Sequence, residues 1–422
     1  MILKNATYID WETLEFKNTH IRLNPGTNAR IEFMDKIDEQ AGSEIIDCEG
    51  KLVTKSFVVG HHHVYSALAK GMPAPRKAPE NFREILRYVW WTLDKSLDKD
   101  TIEASALASA IACAKSGSTF AIDHHASPNH IDGSLDIITK AFEKVGVSHL
   151  LAYEITDRDG MEKAQKGLEE NKRHLQKHQG LVGMHASFTV SDETMKKAAK
   201  LVQDTNSGLH IHVAEGIYDQ THCSETHGKR VIERLNDHGL LNNSKNLLIH
   251  SLHLSEKERE LFKESGAWVV ENKESNQNNN VGHFNGQGLG ENIILGTDGM
   301  HSDMLQSAKA AFFAGQGVDN IDFPGAYQRF RNAHRYLAQN NFTGDGENNL
   351  VVLDYDGPTA LTSENFLGHF IFGLNSNHVQ HVISDGKLIV KDKKIQTVNE
   401  SEVLAFTKEQ SLRLWDAMQK QG

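Results

Sequence analysis

The sequence predicts an α/β protein: a (β/α)8 TIM-like barrel carrying a small β-rich domain built from the two ends of the chain. Three observations lead there. Eight short apolar strand patterns alternate with helical patterns through the middle of the chain. Most of them recur at about thirty residues, the size of one β-α unit. Both ends, in contrast, read as short strands and turns, with one helix closing the C-terminus. A length of 422 residues suits two ordinary domains or one large barrel with additions. The rival architecture, an open doubly wound sheet, lacks its G-x-G-x-x-G turn here.

Residues 1–54 supply MILKNATYI, FKNTHIRLN and IIDCEGKLV, the last with a turn at Glu49-Gly50. The barrel is expected over 55–353. Its strands are SFVVG (56–60), STFAID (118–123), HLLAYEI (149–155), LVGMHA (181–186), GLHIHVAE (208–215), NLLIHS (246–251), AWVVEN (267–272) and IILGTD (293–298). Helical stretches such as TIEASALASAIACAKSG and SDETMKKAAKLVQ separate them. SEKERELFKESG opens with a capping box from Ser255 to Glu258 and stops at Gly266. Residues 354–422 return to β structure, with a hairpin signal at Asp385-Gly386 and a final helix near ESEVLAFTKEQSLRLWDAM. The two terminal segments are expected to pair into one β-rich domain.

Composition excludes several functions. The net charge of −11, from 45 basic against 56 acidic side chains, argues against nucleic acid or an anionic membrane as the main partner. No apolar run is long enough to span a bilayer. MILKNATYIDWETLEF lacks the segments of a signal peptide. Cys48, Cys113 and Cys223 are scattered and odd in number, as expected of reduced thiols in a cytoplasmic protein.

The chemistry gathers at strand ends. The first barrel strand runs into His61, His62 and His63, and a period of two puts His61 and His63 on one face. The fifth ends at His212 and Glu215, the sixth at His250 and the eighth at Asp298. A barrel converges its active-site groups at these C-terminal ends. Three imidazoles and a carboxylate suit Zn²⁺ or Fe²⁺ with a coordinated water. Plainer readings compete at each position: Asp298 as a helix cap, Glu215 as a solvated loop carboxylate, His253 in place of His250, and His210 as a core histidine. His185 and the His124-His125 pair occur where substrate contacts would lie, with His125 and His185 taken as the substrate-side candidates. Trp90-Trp91 reads either as core packing or as a substrate wall. The amide-rich NKESNQNNN run reads as a polar active-site loop or, in preference, as a solvated one, and no residue in it is given a role.

On these residues the chain resembles the amidohydrolase superfamily, in its cytosine deaminase-like and aminohydrolase branch. That family's P-G-F-V-N-x-H-x-H is matched by KSFVVGHHH (55–63), its H-x-x-E by His212 to Glu215, its sixth-strand histidine by His250 and its G-T-D by Gly296-Thr297-Asp298. NFREILRYVWWTLD, DHHASPNHIDGSLD, YEITDRDG, GMHASFTVSDET and GTDGMHSDM are similar to SsnA-type aminohydrolases, and the likeness covers nearly the whole chain. Lys55-Ser56 departs from the usual Pro-Gly, and Asn272-Lys273 from the usual Asn-Pro.

The resemblance implies a metal-dependent hydrolase that attacks a C–N bond of a small planar nitrogen heterocycle. Two-metal members need a bridging carboxylated lysine or a carboxylate near the end of strand four; this chain offers only His185 there. One divalent ion per chain is therefore expected, zinc or alternatively iron, held by His61, His63, His212 and Asp298. Asp298 is expected also to accept a proton from water, Glu215 to shuttle protons and His250 to stabilise charge on oxygen. Opening of a cyclic amide or amidine ring in purine breakdown is an alternative outcome of the same machinery. A catalytically silent metal-binding protein is another. Family analogy suggests a homodimer.

Overall fold

The computed structural model describes residues 1–37 and 44–421; residues 38–43, inside the N-terminal segment, lie outside the description. The N-terminal segment supplies β1 (Ile2–Ile9), β2 (Phe16–Leu23), β3 (Ile31–Met34), β4 (Ile45–Asp47) and β5 (Leu52–Lys55). The barrel strands follow: β6 (Phe57–His62), β7 (Ser118–His125), β8 (Ser148–Ile155), β9 (Val182–Ala186), β10 (Leu209–Val213), β11 (Leu247–His250), β12 (Trp268–Glu271) and β13 (Ile293–Leu295). Four more strands come late: β14 (Leu350–Leu353), β15 (Val379–Ser384), β16 (Lys387–Lys391) and β17 (Lys394–Ile395).

Strands β6 to β13 are hydrogen-bonded in sequence order, and all their pairings are parallel. The ring nearly closes between its first and last members. The backbone N–H groups of Thr297 and Asp298 donate to the His61 carbonyl at 3.0 and 3.1 Å, and His62 and Asp298 form a parallel bridge. The period of two divides each strand between two environments. Val58, Phe120, Ile122, Leu150 and Ile249 fill the interior as one cluster, while Val59, Ala121 and Leu151 pack in a separate cluster with the surrounding helices. The capping box at Ser255 and Glu258 is present, and Gly266 ends that helix at φ +73°.

Closure depends on a residue without a side chain. A Cβ on Gly60 would lie 2.5 Å from the Leu295 carbonyl oxygen and 2.4 Å from Ile294 Cγ2. Gly60→Ala is therefore expected to force β6 from β13 and to lower unfolding free energy by about 1–3 kcal/mol, read from urea midpoints.

The remaining strands form one mixed sheet, ordered β17-β16-β15-β14-β5-β1-β2-β3 with β4 beside β1. The two chain ends join where β14 pairs antiparallel with β5, Leu350 opposite Lys55. The Lys55-Ser56 departure has a structural use here. Buried Lys55 pairs with Asp345 at 3.0 Å and donates to the carbonyls of Asp345 and Gly346. Arg331 donates to the carbonyls of Lys55 and Ser56, so buried polar groups tie the sheet to the barrel. Cys48, Cys113 and Cys223 are each buried and free. Among the described residues no helix is long and apolar enough to cross a membrane.

Candidate active site

The strand ends bring His61, His63, His212 and Asp298 together. One donor atom from each lies within 4.8 Å of the other three. Asp298 Oδ1 stands 3.2 Å from His61 Nε2 and 3.0 Å from His63 Nε2, and His63 Nε2 is 3.2 Å from His212 Nε2. What lies behind the rings fixes their orientation. His63 Nδ1 donates to the His124 carbonyl at 2.6 Å and His212 Nδ1 to the His185 carbonyl at 2.9 Å. His61 Nδ1 pairs with His210 Nε2 at 2.8 Å. With the Nδ1 protons of His63 and His212 so committed, their Nε2 atoms face each other and a carboxylate across a gap that favours positive charge. The donor set fits a divalent cation of the zinc type.

The local charges agree. Burial is the largest influence on His63 and lowers it, yet the hydrogen bond and charge of Asp298 outweigh burial and push it up to about 9. Burial holds His61 at about 4 and drives His212 well below the ordinary range. Asp298 is held well below the usual carboxylate range; burial works against this, but His61 and His63 prevail. Glu215 goes the other way, raised by burial and then by the charge of Asp298.

Glu215 and His250 stand beside the donor set, His250 Nε2 3.4 Å from Glu215 Oε2. Sequence reasoning missed what holds them. The segment read as solvated is a short helix, Lys273–Asn278, with Lys273, Ser275 and Asn276 buried. Ser275 Oγ donates to Asp298 Oδ2, the Asn276 amide is hydrogen-bonded to His250 Nδ1 at 2.8 Å, and Asn279 Nδ2 donates to Glu215 Oε1 at 3.3 Å. Buried Lys273 pairs with Glu271 at 3.2 Å. One signal was available: a dense run of amides directly after a strand end. Backbone conformation aims the groups as well. Ala214, His250 and Asp298 adopt left-handed φ values of 47°, 69° and 50°, rare for residues with side chains.

His63, His212, Glu215, His250, Asn279 and Asp298 line one cleft of about 530 Å³, counting its mouth. Phe82, Leu86, Trp90 and Trp91 form an apolar wall, delivered by the short helix Phe82–Ile85, a π-helical turn, Leu86–Trp90, and the helix that continues it. The tryptophans thus face the cavity. His185 lines it too, its Nδ1 hydrogen-bonded to Thr189 Oγ1 at 2.7 Å. His125, read as a substrate-side candidate, is not among the residues that line the cleft. Strand β7 runs on through residue 125, and parity turns His125 away from the barrel axis, where its Nε2 meets Ser127 Oγ at 3.0 Å and its ring packs near Tyr65 and Tyr153. His124 has the inward parity and packs among the rings of His61, His63, His210 and His212.

The far wall carries charge. Arg158 contacts Asp94, Glu154 at 3.2 Å and Asp159 at 3.0 Å, and lies 5.0 Å from the Trp91 ring centre. Burial pushes Glu154 from 4.5 up to about 7, against the pull of Arg158. The folded state therefore holds a proton that the unfolded chain has lost above pH 4.5. The stabilisation is full below that pH and is lost as pH rises to about 7. Glu154→Gln is expected to flatten this decline, measured as a smaller fall in urea midpoint between pH 5 and 7.5 than in the parent protein.

Comparison with known proteins then gives the family. Residues 53–329, well over half of the chain, match the profile of the amidohydrolase family. This chain belongs to that family. As an amidohydrolase it is a hydrolase of carbon–nitrogen bonds other than peptide bonds, and it works with a divalent metal ion. It is 27% identical over 394 residues to a 5'-deoxyadenosine deaminase of Methanococcus maripaludis strain C7, covering 88% of this chain and 90% of that one. It is 24% identical to a 5-methylthioadenosine/S-adenosylhomocysteine deaminase of Thermococcus sibiricus, covering 92% and 94%. A zinc-bound adenosine deaminase structure from Xanthomonas campestris superposes with a TM-score of 0.82 at 17% identity, over 98% of each chain. Likeness at that identity speaks for the fold: the barrel with its flanking sheet is an amidohydrolase barrel.

Proposed function

We propose that this amidohydrolase deaminates an aminopurine carried on a small nucleoside-type substrate, using one zinc ion held by His61, His63, His212 and Asp298. The observation that carries the reading is that His63, His212 and Asp298 of the donor set line one cleft with Glu215, His250 and an aromatic wall. Relatives named for deamination of 5'-deoxyadenosine and of methylthioadenosine or S-adenosylhomocysteine support the substrate class. Bound there, a divalent ion would lower the pKa of a water it holds toward neutrality.

The chain's own groups supply the rest. Trp90, Trp91 and Phe82 stack against the planar ring and exclude water. Asp298, its Oδ2 held by Ser275, accepts the proton of the attacking water. Glu215 places a proton on a ring nitrogen, which makes the adjacent carbon electron-poor, and passes protons to the departing amine. His250, fixed by Asn276, stabilises charge on the incoming oxygen. Water adds at the amino-bearing carbon, the C–N bond breaks, and ammonia leaves.

The decisive experiment incubates metal-replete protein with aminopurine nucleosides, aminopyrimidines, oxidised purines and cyclic amides, following ammonia and ultraviolet absorbance together. Ammonia with a shifted but intact ring chromophore establishes deamination. Loss of the chromophore without ammonia means ring opening and overturns the reading. Two looser expectations accompany it, a cytoplasmic location and a homodimer; light scattering that finds only monomer removes the second.

A further inference from the structure

A second group of metal-type donors lies away from the barrel mouth. His174 and His178 sit one helical turn apart at the end of the helix Met161–Leu175, where the His178 N–H still donates to the His174 carbonyl at 2.9 Å. That spacing puts both imidazoles on one face, and their rings stack with centroids 5.0 Å apart and planes inclined by 19°. Asp136, in the first turn of the helix Ser134–Val145, brings a carboxylate to them. One donor atom from each of the three lies within 4.8 Å of the other two.

The independent observation is the state of His174. It is 0% exposed, yet neither ring nitrogen has a partner in full hydrogen-bond geometry, although the Gln179 backbone lies close enough to act on the ring. Buried polar groups in folded proteins are nearly always partnered, and an orphan of this kind calls for an explanation such as a bound water or ion. The neighbouring cation does not fill the place. Arg173 is shared between Asp136 and Glu170, 2.7 Å away, which leaves one net negative charge among these three side chains. His178 lines open surface clefts, giving an ion a route from solvent.

We infer that Asp136, His174 and His178 form a second site for a borderline-soft divalent cation such as zinc, remote from catalysis. Two imidazoles and one carboxylate suit such an ion, with solvent completing its coordination. Bound there, it clips the helix Met161–Leu175 to the helix Ser134–Val145.

The test uses the full chain, stripped with chelator and reloaded with Zn²⁺, with ions counted by calorimetric titration and elemental analysis. Two ions per chain are expected in the parent protein and one in His178→Ala, whose half-buried side chain is dispensable for folding and whose turnover stays unchanged. Asp136→Asn should weaken the second site about tenfold or more while sparing the first. His63→Ala should remove the other ion alone, which separates this site from the barrel-mouth assignment. A single ion in the parent protein, or equal counts in the parent and His178→Ala, overturns the inference.

Discussion

Glu215→Gln is expected to lose turnover by about 10²–10⁴-fold, the usual contribution of a positioned general acid–base group, while keeping its full metal content. The two readouts separate because Glu215 stands beside the donor set, against His250 and Asn279, and contributes no atom to it. The amide keeps the shape and the contact with Asn279 but has no proton to relay. Near-parental turnover on the true substrate would remove Glu215 from the mechanism. Loss of metal together with activity would instead make it a structural part of the centre.

His63→Ala is expected to lose both. His63 Nε2 lies 3.0 Å from Asp298 Oδ1 and 3.2 Å from His212 Nε2, so it is the hub of the four donors. Its truncation leaves Asp298 without one of the two imidazoles that hold it ionised. Metal content after dialysis should fall close to zero at the barrel mouth, and turnover on the order of 10³-fold or more, because an uncoordinated water loses the acidity that the ion would lend it. Retained metal with retained activity would show that His63 is no ligand.

Much of this architecture was legible in the chain because it follows from two periods. Alternation at two marks the strands, and turn residues about every thirty positions mark the β-α units. His61, His63, His212 and Asp298 could be gathered without coordinates because a barrel brings all its C-terminal strand ends to one face. The same rule, applied one residue further, separates His124 from His125. The sequence reading ends the second barrel strand at Asp123, whereas β7 continues to His125. The helix Lys273–Asn278 was hidden for another reason. Amide side chains look alike in sequence whether water or a buried carboxylate receives their hydrogen bonds, and only tertiary packing decides between them. Trp90 and Trp91 were undecided on similar grounds, since a core and an aromatic substrate wall ask for the same residues.

The left-handed backbone at Ala214, His250 and Asp298 has a consequence for how this protein can change. Each such residue with a side chain costs roughly 1–2 kcal/mol that glycine would not. Glycine at 214 would relieve that strain, but it would also loosen the rim that aims Glu215. Selection for heat tolerance and selection for turnover therefore pull this short stretch in opposite directions. A laboratory search for hardier variants would do best to leave the rim alone and draw its gains from the outer helices and the terminal sheet.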